Sequence, residues 1–156
     1  MTAVENVWDY PRPPALEPVA KPVRIVFAGR TIAATHASFR VLETSHPPVF
    51  YLPPDCFTGC TLEPASGSSF CEWKGRARYW TIRAGGRSAE RAAWSYPDPT
   101  PRFAAIADYL AVYAGAMEAC FVGDDAVTPQ PGGFYGGWIT PDLIGPFKGV
   151  PGSMGW

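Results

Sequence analysis

Charged residues are scarce in this 156-residue chain, at 17% of the sequence against about a quarter in a typical soluble domain. The 13 basic and 14 acidic residues nearly cancel, leaving a formal net charge of -1. No long-range field therefore draws in phosphate backbones or anionic lipid, which excludes nucleic-acid binding as the main activity. No run reaches the ~18 apolar residues of a membrane span, and residues 1–14 hold neither the basic nor the apolar segment of a secretory leader. The expectation is a cytoplasmic protein with no membrane and no nucleic-acid partner. Histidine is rarer still, at His36 and His46 alone, and cysteine occurs only at 56, 60, 71 and 120. Walker-type, Gly-x-Ser-x-Gly and His-Glu-x-x-His sequences are missing, so phosphoryl transfer, serine hydrolysis and helical zinc chemistry have no positive sign. Gly132-Gly133-Phe-Tyr-Gly136-Gly137 superficially matches a dinucleotide loop. Pro141 and Pro146 stop the helix that must follow such a loop, and no convincing strand precedes it.

What is present is apolar and aromatic. Hydrophobic residues make up 47% of the chain, with nine Phe, seven Tyr and six Trp, a composition that favours pleated, half-buried surfaces. Sixteen glycines and 18 prolines imply many turns and short segments. The length suits one domain with a substantial core.

Prolines at 11, 13, 14, 18 and 22 predict an extended arm over residues 1–22. Val23 to Phe27 and Thr31 to Thr35 read as a hairpin turning at Gly29, Phe39 to Glu43 as a strand, and Val49 to Leu52 as a short β-prone run. Cys56 to Ser69 has the composition of a loop. A second hairpin pairs Ala77–Arg83 with Ser88–Trp94. Phe103, Ile106, Leu110 and Tyr113 recur at helical spacing up to Gly115, which predicts the one helix, packed on the sheet. Ala119 to Val122 reads as a last strand. Residues 23–128 form the expected β-rich core domain. Residues 129–156, with five prolines, eight glycines and nine large hydrophobes, form a strap packed on that core. The two terminal arms also leave a homodimer open.

Three separated stretches carry a resemblance. Glu43-Thr-Ser-His-Pro-Pro-Val-Phe-Tyr-Leu-Pro-Pro54, Cys71-Glu-Trp-Lys-Gly-Arg-Ala-Arg-Tyr-Trp80 and Ala93-Trp-Ser-Tyr-Pro-Asp-Pro99 together resemble the domain-of-unknown-function 427 family, over roughly residues 23–122. The resemblance implies a mainly β fold: a single compact domain of antiparallel hairpins in a curved, tent-like sheet, with a helix near residues 103–114 and irregular N- and C-terminal arms. It implies no settled activity. Cys56 and Cys60 stand where the family pattern suggests a charged loop.

The same stretches hold the candidate chemistry. Cys71 and Lys74 set a thiol and an amine three residues apart among Trp73, Tyr79 and Trp80, where either group is a candidate nucleophile. The structural alternative is a strand start in which Lys74 pairs with a carboxylate and Gly75 permits a bulge. Glu43 lies three residues before His46, so the carboxylate is placed to orient the imidazole or to serve, with Tyr79 or Tyr96, as a general acid or base. Pro47 and Pro48 exclude the helix that di-iron ligation by such a pair requires. Trp73, Tyr79 and Trp94 are candidate walls of an aromatic cavity for a planar or cationic small molecule. Strand alternation sends Tyr79 and Trp80 to opposite faces, so only one of them lines it. The catalytic candidates are thus Glu43, Lys74, Tyr96 and Cys71, and the ligand-binding candidates Trp73, Tyr79, Trp94 and His46.

The leading expectation is a small-metabolite enzyme using acid/base or nucleophilic residues in an aromatic-lined cleft, with its cofactor unknown. The alternatives are a binding or interaction module without turnover, and a scaffold stabilised by zinc on Cys56, Cys60 and Cys71.

Overall fold

The computed structural model describes residues 3–156, so Met1 and Thr2 of the expected arm lie outside the described residues. The protein is mainly β, with 47% of residues in strands and 10% in helical segments, all of them short 3-10 turns among the described residues. Strands β1 (Glu5–Asn6) and β2 (Ala15–Pro18) precede a hairpin of β3 (Val23–Phe27) and β4 (Arg30–Thr35). That hairpin turns at Ala28 and Gly29, both at positive φ. β5 (Phe39–Leu42) and β6 (Val49–Tyr51) form the next pair, followed by a long meander of β7 (Thr61–Cys71), β8 (Gly75–Ala84) and β9 (Arg87–Ser95). β10 (Leu110–Val112), β11 (Ala119–Val122), β12 (Asp125–Ala126), β13 (Thr128–Pro129), β14 (Trp138–Ile139) and β15 (Leu143–Ile144) complete the chain.

Three open sheets carry the architecture, in the orders β7-β8-β9-β10, β2-β5-β6 and β4-β3-β11-β12. The first two are continuous, because Leu52 and Leu110 exchange backbone hydrogen bonds of 2.8 Å each. Alternation along the joined sheet then buries both of its faces. Phe50, Leu52, Ile82, Leu110 and Val112 face the β4-β3-β11-β12 sheet and close a first core with Val23, Ile25, Ile32 and Cys120. Val49, Tyr51, Tyr79, Trp94 and Ala111 point the opposite way and close a second core with Phe103 and Ile106. Trp80 packs against the first core and Tyr79 lies in the second, the split that alternation predicts.

Two segments differ from the sequence expectation. The helix expected near 103–114 is a 3-10 helix, Pro101–Ile106, followed by strand β10. Asp108 takes φ 63°, and Leu110–Val112 pairs with Ala93–Ser95 of β9, so ladder hydrogen bonds override the local helical spacing. The supposed loop from Cys56 to Ser69 mostly becomes β7. Its Pro64 and Gly67 sit at a register shift between Pro64 and Ser68, where Gly67 adopts φ 89° and Arg91 donates a 2.6 Å hydrogen bond to the Ser66 carbonyl. An irregularity at that point absorbs the proline and glycine that would break a regular strand.

The C-terminal segment is anchored by Trp138, which is fully buried and stacks on Phe50 at 5.3 Å. Its indole N–H donates to the Val112 carbonyl at 2.9 Å, and its backbone N–H to the Pro48 carbonyl at 2.8 Å. Farther along, β15 pairs in parallel with β1, and Leu143 and Phe147 pack with Val7, Tyr10 and Leu42. Arg40 of β5 ties the N-terminal arm down through ion pairs to Glu5 at 2.9 Å and to Glu17.

Candidate functional site

A cavity of about 500 Å³ opens on the face of the second core, in the size range of small-molecule sites. One edge is the turn between β7 and β8. Cys71 pairs with Gly75, leaving Glu72, Trp73 and Lys74 as the loop. Gly75 takes φ 109°, and a Cβ there would lie 3.3 Å from the Asp98 carbonyl oxygen. Thr100 locks this approach: its backbone N–H donates to the Lys74 carbonyl at 3.1 Å, and its hydroxyl donates to the Trp73 carbonyl at 2.7 Å. Thr100, the residue just after the third of the three sequence stretches, thus holds the second, and Lys74 is buried, 9% exposed. Its Nζ lies 5.8 Å from the ring centroids of both Tyr96 and Phe103. Among the described residues Lys74 takes part in no ion pair. Among the described residues, the carboxylate partner of the structural alternative is not found, and the β7–β8 register shows no shift at Gly75.

The cavity wall is a cluster of rings. Trp94 lies 4.6 Å from Tyr113 and 6.5 Å from Tyr51, and Tyr51 lies 6.3 Å from Tyr96. The Ser69 and Tyr79 hydroxyls are 2.9 Å apart. Burial pushes the phenols of Tyr51 and Tyr96 well above the ordinary tyrosine value and that of Tyr113 up to about 12. All three are protonated donors across the physiological range.

The Glu43 and His46 pair borders the same cavity. His46 Nε2 is 3.6 Å from Glu43 Oε2, which also receives Arg12 at 3.2 Å. The imidazole is nearly buried and meets the Tyr135 ring edge-on at 5.0 Å. Burial moves its pKa down to about 4, aided by the charges of Lys148, Arg12 and Lys74 and opposed by Glu43. On the other side of the ring stands Gln130, whose Nε2 is 3.2 Å from His46 Nδ1. Gln130 also donates to the Lys148 carbonyl at 2.8 Å and accepts from the Gly137 N–H at 2.9 Å.

All eight candidates named from the sequence border this one cavity: Glu43, His46, Cys71, Trp73, Lys74, Tyr79, Trp94 and Tyr96. The sequence reading missed Tyr51, Tyr113, Gln130, Phe134, Tyr135 and Lys148, which border it as well. Four of these come from the C-terminal segment, whose run of aromatics was the available signal. That segment reaches the cavity because Gly136 carries no side chain: a Cβ there would lie 2.1 Å from Trp94 Cη2.

The three-cysteine zinc alternative is corrected by the fold. Cys56 and Cys60 pack against the first core and Cys71 against the second, on opposite faces of the joined sheet. Among the described residues, no three His, Cys, Asp or Glu side chains are grouped to hold a metal ion. Burial raises the Cys56 thiol to about 11 and Cys120 to about 12, as expected of cysteines that serve packing. Among the described residues no helix is long and apolar enough to cross a membrane.

No curated protein matches the chain. The sequence profile of the Domain of unknown function (DUF427) matches residues 15–123, a stretch that holds Glu43, Lys74 and Tyr96 and stops short of Gln130 and Lys148. With more than two thirds of its length matched, the chain belongs to the DUF427 family.

Proposed function

We propose that the chain is a small-metabolite enzyme performing acid/base or nucleophilic chemistry in the aromatic-lined cleft. The observation that carries this reading is that Glu43, Lys74 and Tyr96, distant in sequence and each able to hold or move a proton, border one sheltered cavity. Lys74 serves as the cation that binds or polarises the substrate, or as the amine nucleophile. The Tyr96 phenol, kept protonated by burial, serves as a hydrogen-bond donor to developing negative charge. Glu43 is the candidate base, with neutral His46 beside it, and Cys71 is the second candidate nucleophile at the cavity edge.

Binding without turnover is the second reading. It is favoured by the same burial, which holds Tyr51 and Tyr96 protonated and His46 neutral near pH 7, whereas proton transfer works best when a group titrates near the working pH. A thermal-shift screen of small metabolites on wild type beside Lys74→Met and Glu43→Gln tests the cleft. A compound that stabilises wild type and neither variant supports it; compounds that stabilise all three equally remove the cleft from the function. Consumption of that compound by wild type then selects the enzyme, and its recovery unchanged selects the binding module.

A further inference from the structure

We propose that the ligand of this cleft is a small organic acid, one carboxylate on a flat apolar body, with the carboxylate paired to Lys74. The proposal rests on the cleft reading above and adds the chemical class. Four charged side chains border the cavity: Glu43, Glu72, Lys74 and Lys148. Glu43 already pairs with Arg12, and Glu72 is exposed to solvent. The Lys148 ammonium donates to the Trp156 carbonyl oxygen at 3.3 Å and lies 5.5 Å from the Tyr135 ring centroid. Lys74 alone of these is a largely buried cation that faces aromatic rings and, among the described residues, makes no ion pair. A buried ammonium is costly unless an anion meets it, so the cavity has a place for one negative charge. Protonated Tyr96, whose ring faces the same ammonium, adds a hydroxyl donor suited to a carboxylate oxygen. Lys148 is also without an ion pair among the described residues, but it is half-buried and already bonded to the Trp156 carbonyl, so the one largely buried cation matches one carboxylate better than a doubly charged phosphate.

The remainder of the cavity sets the body of the ligand. Trp94 and Tyr113 lie close together, and Trp73 closes the turn beside Lys74. At the rim stand Phe70 from β7 and Phe134 from the C-terminal segment, 72% and 65% exposed. Two large rings from unconnected segments left in water at one cavity mouth are apolar surface that a flat ligand covers.

The test is a titration of wild type with benzoate, 2-naphthoate and indole-3-carboxylate, with the primary amide of each, and with phenyl phosphate. Each acid is expected to bind about tenfold or more tightly than its amide, with phenyl phosphate no better than benzoate. The acid preference should vanish in Lys74→Met and persist in Lys74→Arg. Equal binding of acids and amides, no binding of any acid, preference for the phosphate, or acid preference retained in Lys74→Met overturns the proposal. The wild-type comparison needs no variant, so misfolding of Lys74→Met leaves it decisive. A neutral or cationic compound that binds through Lys74 and Glu43 removes the acid while sparing the cleft reading.

Discussion

The side-chain amide of Gln130 donates to Nδ1 of His46 across 3.2 Å. Which end of that amide carries the nitrogen is fixed by its other partners: the Gly137 N–H needs an acceptor and the Lys148 carbonyl needs a donor. Nδ1 is therefore the lone-pair nitrogen of a neutral ring, and the ring proton sits on Nε2, facing Glu43. A residue outside the matched family stretch thus sets the proton position of one inside it.

Nitrogen-detected NMR on the two histidines checks this directly. His46 should show the Nε2–H form at pH 7 and titrate near pH 4, while Gln130→Glu should shift the proton toward Nδ1 and raise the pKa. The depressed pKa also has a sign for stability. Between about pH 6.5 and about pH 4 the unfolded histidine binds a proton that the native one refuses, so stability falls as pH drops through that window. The contribution is roughly 1.4 kcal/mol per pH unit while the full proton difference lasts. Urea unfolding at several pH values should give a shallower slope for His46→Gln than for wild type over this range.

The close seat of the C-terminal segment on Trp94 predicts a steric penalty. Gly136→Ala places a methyl group inside the indole ring's space and should destabilise the protein by about 1–3 kcal/mol. Denaturation midpoints should show part of that loss recovered when Trp94→Leu is combined with it, because the two sites touch. Additive losses would mean the segment does not rest on the indole.

Thr100 is expected to act through the Lys74 turn. Thr100→Val keeps the shape and removes the hydroxyl bond to the Trp73 carbonyl, for a cost of about 1 kcal/mol. The backbone bond to Lys74 remains available, so the fold should persist while binding in the cleft weakens several-fold. Unchanged affinity beside reduced stability would make Thr100 a scaffold residue only.

The strands of both cores were legible because their apolar residues alternate, as in Val49 to Leu52, where successive side chains enter opposite cores. The region from Phe103 to Tyr113 was not, since spacing that suits a helix also suits a 3-10 turn followed by a strand, and only the pairing of Leu110 with Ser95 decides between them. In the cleft, Lys74 and His46 stood out as scarce polar groups among aromatics. Gln130 carried no such mark: it is neutral and lies in a glycine- and proline-rich segment, and its importance comes from partners 84 and 18 residues away.

Six tryptophans make the cleft directly observable, because each indole N–H gives its own NMR signal. During titration with a compound that stabilises wild type and not Lys74→Met, the Trp73 and Trp94 signals should move. That of Trp138, buried and bonded to Val112, should stay in place. Movement confined to Trp8 and Trp156, which touch each other at 5.3 Å away from the cavity lining, would contradict the account.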